Sequence, residues 1–172
     1  MRILAVSGSL RAASSNSRAI QALALLAPAG VEVEIWRGLG ELPFFNPDLD
    51  IDPAPARVAA WRAAVEACDA LVISSPEYAH GVAGVMKNGL DWLVSHPGLH
   101  ETPVAVINAT PPGDYAQAHM RDNLSVMFTT LVEAAFVTVN LRGRSETPAQ
   151  IAADPALSAP LRQALNALAQ MG

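Results

Sequence analysis

The 172-residue sequence predicts an α/β fold: one doubly wound domain over residues 1–172, with a five-stranded parallel sheet in the order 2-1-3-4-5 and helices on both faces. Three observations carry that expectation. Short, β-rich apolar runs alternate with longer segments of helical period. Four of the five runs are apolar almost throughout, as strands are when helices cover both sides of a parallel sheet. The remaining run, VEVEIW, alternates with a period of two and suits an edge strand with one wetter face.

The elements follow in order. RILAVS (2–7) is the first strand, and AIQALALLA (19–27) belongs to the helix after it. VEVEIW (31–36), ALVISS (70–75), PVAVIN (103–108) and AAFVTV (134–139) supply the other four strands. Asp52-Pro53 and Asp154-Pro155 each place a capping carboxylate before a proline suited to a first helical turn. Val58, Trp61 and Val65 then share one helical face, and Leu157, Leu161, Leu165 and Leu168 share another. The proline-rich stretch 43–56 reads as a surface connection within the domain. Right-handed crossovers wind such a chain into a sheet whose ligand site lies beyond the carboxyl ends of the first and third strands.

Composition narrows the function classes. With 11 basic against 16 acidic residues the formal charge is −5, and no basic run interrupts it, so a nucleic-acid backbone is repelled. The longest apolar region, 126–141, contains Glu133 and Asn140, which argues against a membrane span, and the opening apolar run is too short for an export signal. Cys68 is the only cysteine, so no internal disulfide or thiolate cage forms, in keeping with a reducing cytoplasm. Nothing cationic flanks it, and a small buried hydrophobe at a helix end is the expected role. His80, His96, His100 and His119 lack metal-ligand spacing, so no metal site is expected. A charged fraction of only 16% leaves apolar surface for contact between subunits.

The loop after the first strand reads SGSLRAASSNSR (7–18). A strand end feeding a helix N-terminus exposes unpaired N–H groups in a positive field, which suits an anion. Ser7, Ser9, Ser14 and Ser15 add hydroxyl donors, Asn16 an amide and Arg11 a guanidinium able to grip two phosphate oxygens. Neither G-x-G-x-x-G nor a G-K-[ST] ending is present, so the pattern favours a mononucleotide phosphate over a dinucleotide or triphosphate. The plainer alternative is that Ser14 or Asn16 only caps the helix.

The loop after the third strand lies within SSPEYAHGVAGVMKNGLDWL (74–93). Pro76 stops the strand, and Gly81 and Gly84 permit close approach before Val82, Val85, Met86, Leu90 and Leu93 form an apolar stripe. N–H groups near residues 77–81 could donate to a flavin pyrimidine edge and stabilise negative charge there. The alternative makes Glu77 a cap and Tyr78 a packing residue.

Together, SGSLRAASSN and PEYAHGVAGVMKNGLDW resemble the NAD(P)H-dependent FMN reductase family, with its quinone, azo-dye and chromate reductase members. The similarity also takes in LPFFNPDLD (42–50) and the fifth strand. The resemblance implies a flavodoxin-like fold, noncovalent FMN, NADPH or NADH as donor, and a homodimer or homotetramer with the flavin near a subunit boundary. By position it implies Ser9, Arg11, Ser14 and Asn16 at the FMN phosphate, with Ser15 beside them. Pro76, Glu77, Tyr78, Ala79, His80 and Gly81 form the ring-side loop, and Lys87, Asn88, Asp91 and Trp92 the helix behind it. This chain departs from the family at Ala79, where Asn is common, at Ala83, where the family has Pro, and in NATPPGDYAQ (108–117), where a glycine-rich turn is usual. Thr110, Pro111 and Gly113 are the residues of that segment expected to reach the ring.

The expected reaction passes hydride from the nicotinamide to FMN and then electrons to a small-molecule acceptor: a quinone, an azo compound, a metal oxyanion or free flavin. The cofactor carries that chemistry, so no catalytic side chain is expected. The competing expectation is an electron carrier or FMN-binding module without nicotinamide turnover, which usually has a more acidic docking surface.

Overall fold

A computed structural model describes residues 1–171. The strands are β1 (Arg2–Ser7), β2 (Glu32–Trp36), β3 (Ala70–Ser74), β4 (Glu77–Tyr78), β5 (Gly81–Val82), β6 (Pro103–Asn108), β7 (Thr130–Leu131) and β8 (Val137–Thr138). The main sheet runs β2-β1-β3-β6-β7 in parallel, and β8 also pairs with β6, so β2 is an edge, as its alternation predicts. Strands β4 and β5 form a separate antiparallel hairpin.

The helices are α1 (Ser15–Leu25), α2 (Ala56–Glu66), α3 (Gly84–Asp91), α4 (Asp114–Val126), α5 (Pro148–Ala153) and α6 (Pro155–Ala169). Alternate side chains of β1 divide the interior. Ile3 and Ala5 meet Ile20 and Leu23 of α1, Ile151 of α5 and Leu161 and Leu165 of α6. Leu4 and Val6 face the other core, with Trp61 of α2, Met86 and Leu90 of α3 and Leu124 of α4. Trp61 is fully buried and donates its indole N–H to the Gly89 carbonyl at 2.9 Å, which fixes α2 against α3. Among the described residues no helix is long and apolar enough to cross a membrane.

Several sequence expectations hold in detail. The bounds of β1 and β6 are those of RILAVS and PVAVIN. Asp154 caps α6, its Oδ1 accepting from the Ala156 and Leu157 N–H groups at 2.8 and 3.4 Å. Two expectations need correction. Asp52-Pro53 does not open a helix: α2 starts at Ala56. The chain just upstream is held instead by Asp50, which accepts from Arg62 at 2.8 Å and from the Ser95 hydroxyl at 2.5 Å. The fifth strand is not continuous over 134–139. A 3-10 turn at Glu133–Ala135 separates β7 from β8. Arg121 of α4 holds this turn through a forked ion pair with Glu133 and lies 3.9 Å over the Phe136 ring.

Candidate functional site

Both loops identified from the sequence meet at the carboxyl edge of the sheet. The Gly8 N–H donates to the Ser74 carbonyl at 2.8 Å, joining the exits of β1 and β3. A Cβ on Gly8 would lie 2.4 Å from Ser75 Oγ, so only glycine permits this approach. Ser14 is the N-cap of α1 and accepts from the Ser17 N–H at 3.2 Å. The N–H groups of Ser15 and Asn16, in the first turn, have no protein partner among the described residues.

The hydroxyl set is ordered by its own contacts. The Ser9 N–H donates to Ser7 Oγ at 3.2 Å, and Ser9 Oγ accepts from the Arg11 N–H at 3.4 Å. Asn16, only 3% exposed, places Oδ1 2.9 Å from Ser74 Oγ, which also lies 3.0 Å from the Ile107 carbonyl. The start of α1 is thereby tied to β3 and β6. The Ser15 side chain turns away from this group, with its Oγ 3.4 Å from the Leu141 carbonyl and accepting from Arg18 at 3.1 Å. Arg18 in turn donates to the carbonyls of Arg144 and Glu146. What Ser15 offers an anion is its backbone N–H. The Arg11 guanidinium is exposed and has no protein partner among the described residues. No carboxylate occurs between Ser7 and Arg18.

Beyond β3, Ser75 and Pro76 are buried and lead into the β4–β5 hairpin, where Tyr78 pairs with Gly81. Its two central residues, Ala79 and His80, have φ of 49° and 58°, the left-handed pair that a type I′ turn requires. The Glu77 carboxylate accepts from the Ala116 N–H at 2.8 Å. Ala116 is the third residue of α4, whose N-cap, Gly113, offers no side chain, so Glu77 supplies the missing cap from another loop. The His80 ring stacks on Tyr115 with centroids 4.2 Å apart and planes 19° apart. The ring-side hairpin and the loop after β6 are thus one clamped unit. Within that loop the Asn108 amide donates to the Pro112 carbonyl at 2.6 Å and accepts from the Thr110 N–H at 3.2 Å.

Of the two alternatives raised for this hairpin, the cap describes the Glu77 side chain, while Tyr78 is 55% exposed and is not a packing residue. The motif helix is structural: Asn88 accepts from the Phe45 N–H at 2.8 Å, and the Trp92 indole donates to the Pro43 carbonyl at 2.8 Å. Lys87 pairs with Asp91 along the same helix. Tyr115 was not singled out by the sequence; nothing local marks it, because its partner His80 lies 35 positions earlier.

The perturbed titrations lie outside both loops. Burial pushes the Cys68 thiol up to about 11, and its Sγ–H donates to the Val65 carbonyl at 3.1 Å. Hydrogen bonds from Ser95 and Arg62 hold the Asp50 carboxyl below its ordinary value. The hydroxyls of the candidate site bond to one another, to an amide and to backbone, and none bonds to a histidine among the described residues. That set can bind and orient an anion and a planar group; it presents no nucleophile with an adjacent base.

Comparison with known proteins shows what the chain is similar to. A family profile described as NADPH-dependent FMN reductase matches residues 1–142. The chain is 35% identical over 130 residues to a Pseudomonas aeruginosa protein named NAD(P)H-dependent FMN reductase, covering 72% of this chain and 69% of that one. It is 33% identical over 130 residues to the Escherichia coli K12 quinone reductase, with the same two coverages of 72% and 69%. Among solved structures, the flavoenzyme NAD(P)H:(acceptor) oxidoreductase FerB of Paracoccus denitrificans superposes with a TM-score of 0.76 at 22% identity, covering 98% of this chain and 97% of FerB. A flavodoxin, WrbA-like protein from Agrobacterium tumefaciens shares the fold at a TM-score of 0.59 and 14% identity, covering 99% of this chain and 98% of that one.

Proposed function

Because the chain belongs to the NADPH-dependent FMN reductase family and is an FMN-dependent NAD(P)H oxidoreductase, we propose a site for each part of the flavin and a quinone as acceptor. The loop after β1 holds the FMN phosphate. The β4–β5 hairpin and the loop after β6 hold the ring edge. FMN, when bound, accepts hydride from the dinucleotide and passes electrons to the acceptor.

One observation carries the phosphate assignment: from Ser7 to Arg18 the chain presents donors and no carboxylate, with the first-turn N–H groups of α1 and the Arg11 guanidinium free of protein partners among the described residues. This donor set fits a phosphomonoester. Ser9, Ser14 and Asn16 shape the loop around it, and Ser15 contributes its N–H. On the ring side, Pro76 ends the strand, and the backbone of Glu77, Tyr78, Ala79, His80 and Gly81 faces the flavin edge, with Thr110 opposite. Glu77 keeps that backbone in place through α4. The exposed Tyr78 ring favours a planar acceptor, which supports a quinone over a metal oxyanion.

The test is the visible absorbance of FMN-loaded protein, made anaerobic, on adding NADPH and then in turn a benzoquinone, an azo dye and chromate. Fast loss of the oxidised-flavin band with fastest recovery by the quinone is the expected result. Equal or faster recovery with chromate rejects the quinone assignment.

We also propose that the protein is a homo-oligomer. Val94, Val126 and Phe128, each more than 60% exposed, line one apolar depression, which supports a subunit contact there. Light scattering that finds only monomer at micromolar concentration would reject it.

A further inference from the structure

Past β8 the chain keeps to the carboxyl edge of the sheet. The Val139 and Leu141 N–H groups donate to the Asn108 and Ala109 carbonyls at 2.9 and 3.0 Å, which brings residues 139–141 alongside the loop after β6. The Leu141 carbonyl accepts from the Arg144 N–H at 3.1 Å and closes a β-turn with Arg142 and Gly143 at its corner, Gly143 with a φ of 70°. Asn140 Oδ1 accepts from the Arg142 N–H at 3.3 Å and fixes the start of the turn. This turn is fastened to the first turn of α1. The Ser15 hydroxyl donates to the Leu141 carbonyl at 3.4 Å and accepts from Arg18 at 3.1 Å, and Arg18 also donates to the Arg144 and Glu146 carbonyls at 2.8 and 2.7 Å. Arg18 bonds to no carboxylate: its Nε and Glu146 Oε2 are each buried without a partner.

The two segments so joined, 7–18 and 139–147, hold Arg11, Arg18, Arg142 and Arg144 against a single carboxylate, Glu146, in a chain of net charge −5. Glu146 is paired with Arg144. Arg142 is exposed, and its side chain makes no ion pair, hydrogen bond or aromatic contact among the described residues. Cations gathered at a helix N-terminus cost electrostatic energy that an anion there removes. The sheet order places β1 and β8 on opposite sides of the β3–β6 pair, to which Asn16 ties the start of α1, so the loops bearing Arg11 and Arg142 flank that start. We propose that Arg142 is a second guanidinium for the FMN phosphate, facing Arg11 across it, and that Arg18 is the positioning residue that holds its turn in place. The proposal rests on the phosphate reading above. A phosphomonoester dianion can take two forks of N–H donors, and residues 7–18 offer only that of Arg11, because Arg18 spends its donors on the turn.

The experiment is fluorescence titration of the flavin-free protein with FMN and with riboflavin, which is FMN without its phosphate. Wild type should bind FMN at least tenfold tighter than riboflavin; equal binding would overturn the phosphate reading itself, before any variant is compared. Arg142→Ala should weaken FMN roughly tenfold and leave riboflavin within twofold, because only the phosphate contact is lost. Arg142→Lys should fall between the two proteins, keeping the charge without the fork. Arg18→Ala should also weaken FMN more than riboflavin, and the double variant should be no weaker than Arg142→Ala by more than about twofold, since both changes remove one contact. The side chain of Arg142 holds nothing else in the structure, so its variant should melt with wild type and test the contact even where Arg18→Ala loosens the loop. An Arg142→Ala protein that keeps its FMN affinity, or loses FMN and riboflavin equally, overturns the proposal. Arg18 and Arg142 effects that simply multiply, or an Arg18→Ala protein with the wild-type preference for FMN, overturn the positioning role.

Discussion

Replacing Glu77 with alanine should uncouple the ring-side hairpin from α4. The Glu77 carboxylate is a charged acceptor 2.8 Å from the Ala116 N–H, at a helix whose own N-cap is Gly113. A charged hydrogen bond of this kind contributes about 1.5–3 kcal/mol. For a chain of this length each kcal/mol moves the melting midpoint by about 2–4 °C, so Glu77→Ala should lower it by roughly 3–12 °C. Glu77→Gln keeps an acceptor and loses mainly the charge–dipole part, about 0.3–1 kcal/mol, or roughly 1–4 °C. The ordering wild type above Gln above Ala is the signature, read by thermal unfolding of the FMN-free protein at one pH. Tyr115→Ala removes the second strut, the stack on His80, which contributes about 0.5–1.5 kcal/mol. If both struts fix one unit, the double variant should show a coupling above about 0.5 kcal/mol. Alanine and glutamine variants that melt within a degree of wild type, with additive Tyr115 effects, would refute the clamp.

Three further outcomes follow from the same contacts. Arg11→Ala should weaken FMN by about 1.5–3 kcal/mol, the range for a charged hydrogen bond, measured by flavin fluorescence titration; an unchanged constant removes Arg11 from the phosphate. With its thiol raised to about 11, Cys68 should alkylate at pH 8 roughly two orders of magnitude more slowly in the folded protein than in urea, and a native rate near the unfolded one contradicts its burial. The Asp50 carboxyl is depressed first by Ser95 and then by Arg62, so its stabilisation is complete above the unfolded value near 3.8 and fades as pH falls through the lower folded value. Urea midpoints of wild type and Asp50→Asn should therefore stay separated from neutral pH down to about 5 and converge only below about 4; a gap constant to pH 3 rejects the assignment.

What could be read from the sequence follows how local each determinant is. A strand buried on both faces must be apolar along its whole length, so β1 and β6 carry their bounds in their own residues. The Asp154 cap works through N–H groups two and three residues away, and it too is visible in the chain. Asp52-Pro53 has the same local form, yet α2 begins at Ala56, after a segment anchored by the contacts of Asp50 with Arg62 and Ser95. AAFVTV has strand composition, but Glu133–Ala135 forms a 3-10 turn, with Glu133 and Phe136 in contact with Arg121 of α4. Partners twelve or more residues away bear on both cases, and the local pattern of neither segment shows them.

The same distinction separates the two sides of the candidate site. The proposed phosphate side is one continuous strand-loop-helix unit, so its hydroxyls, amide and guanidinium sit within residues 7–18 and can be read there. The ring side is assembled from three places: Glu77 and His80 on the hairpin, Thr110 after β6, and Tyr115 on α4. Ala79 and His80 adopt positive φ where Asn-Gly would do so with less strain, so the hairpin depends on its outside contacts to hold its shape. That dependence gives the segment 108–117 its importance. It departs from the resembled family in sequence, and through Ala116 and Tyr115 it sets where the hairpin stands. Changes in acceptor preference should therefore map to residues 110–116 before they map to the phosphate loop, because only the former can shift the ring-side wall without altering how the phosphate is held.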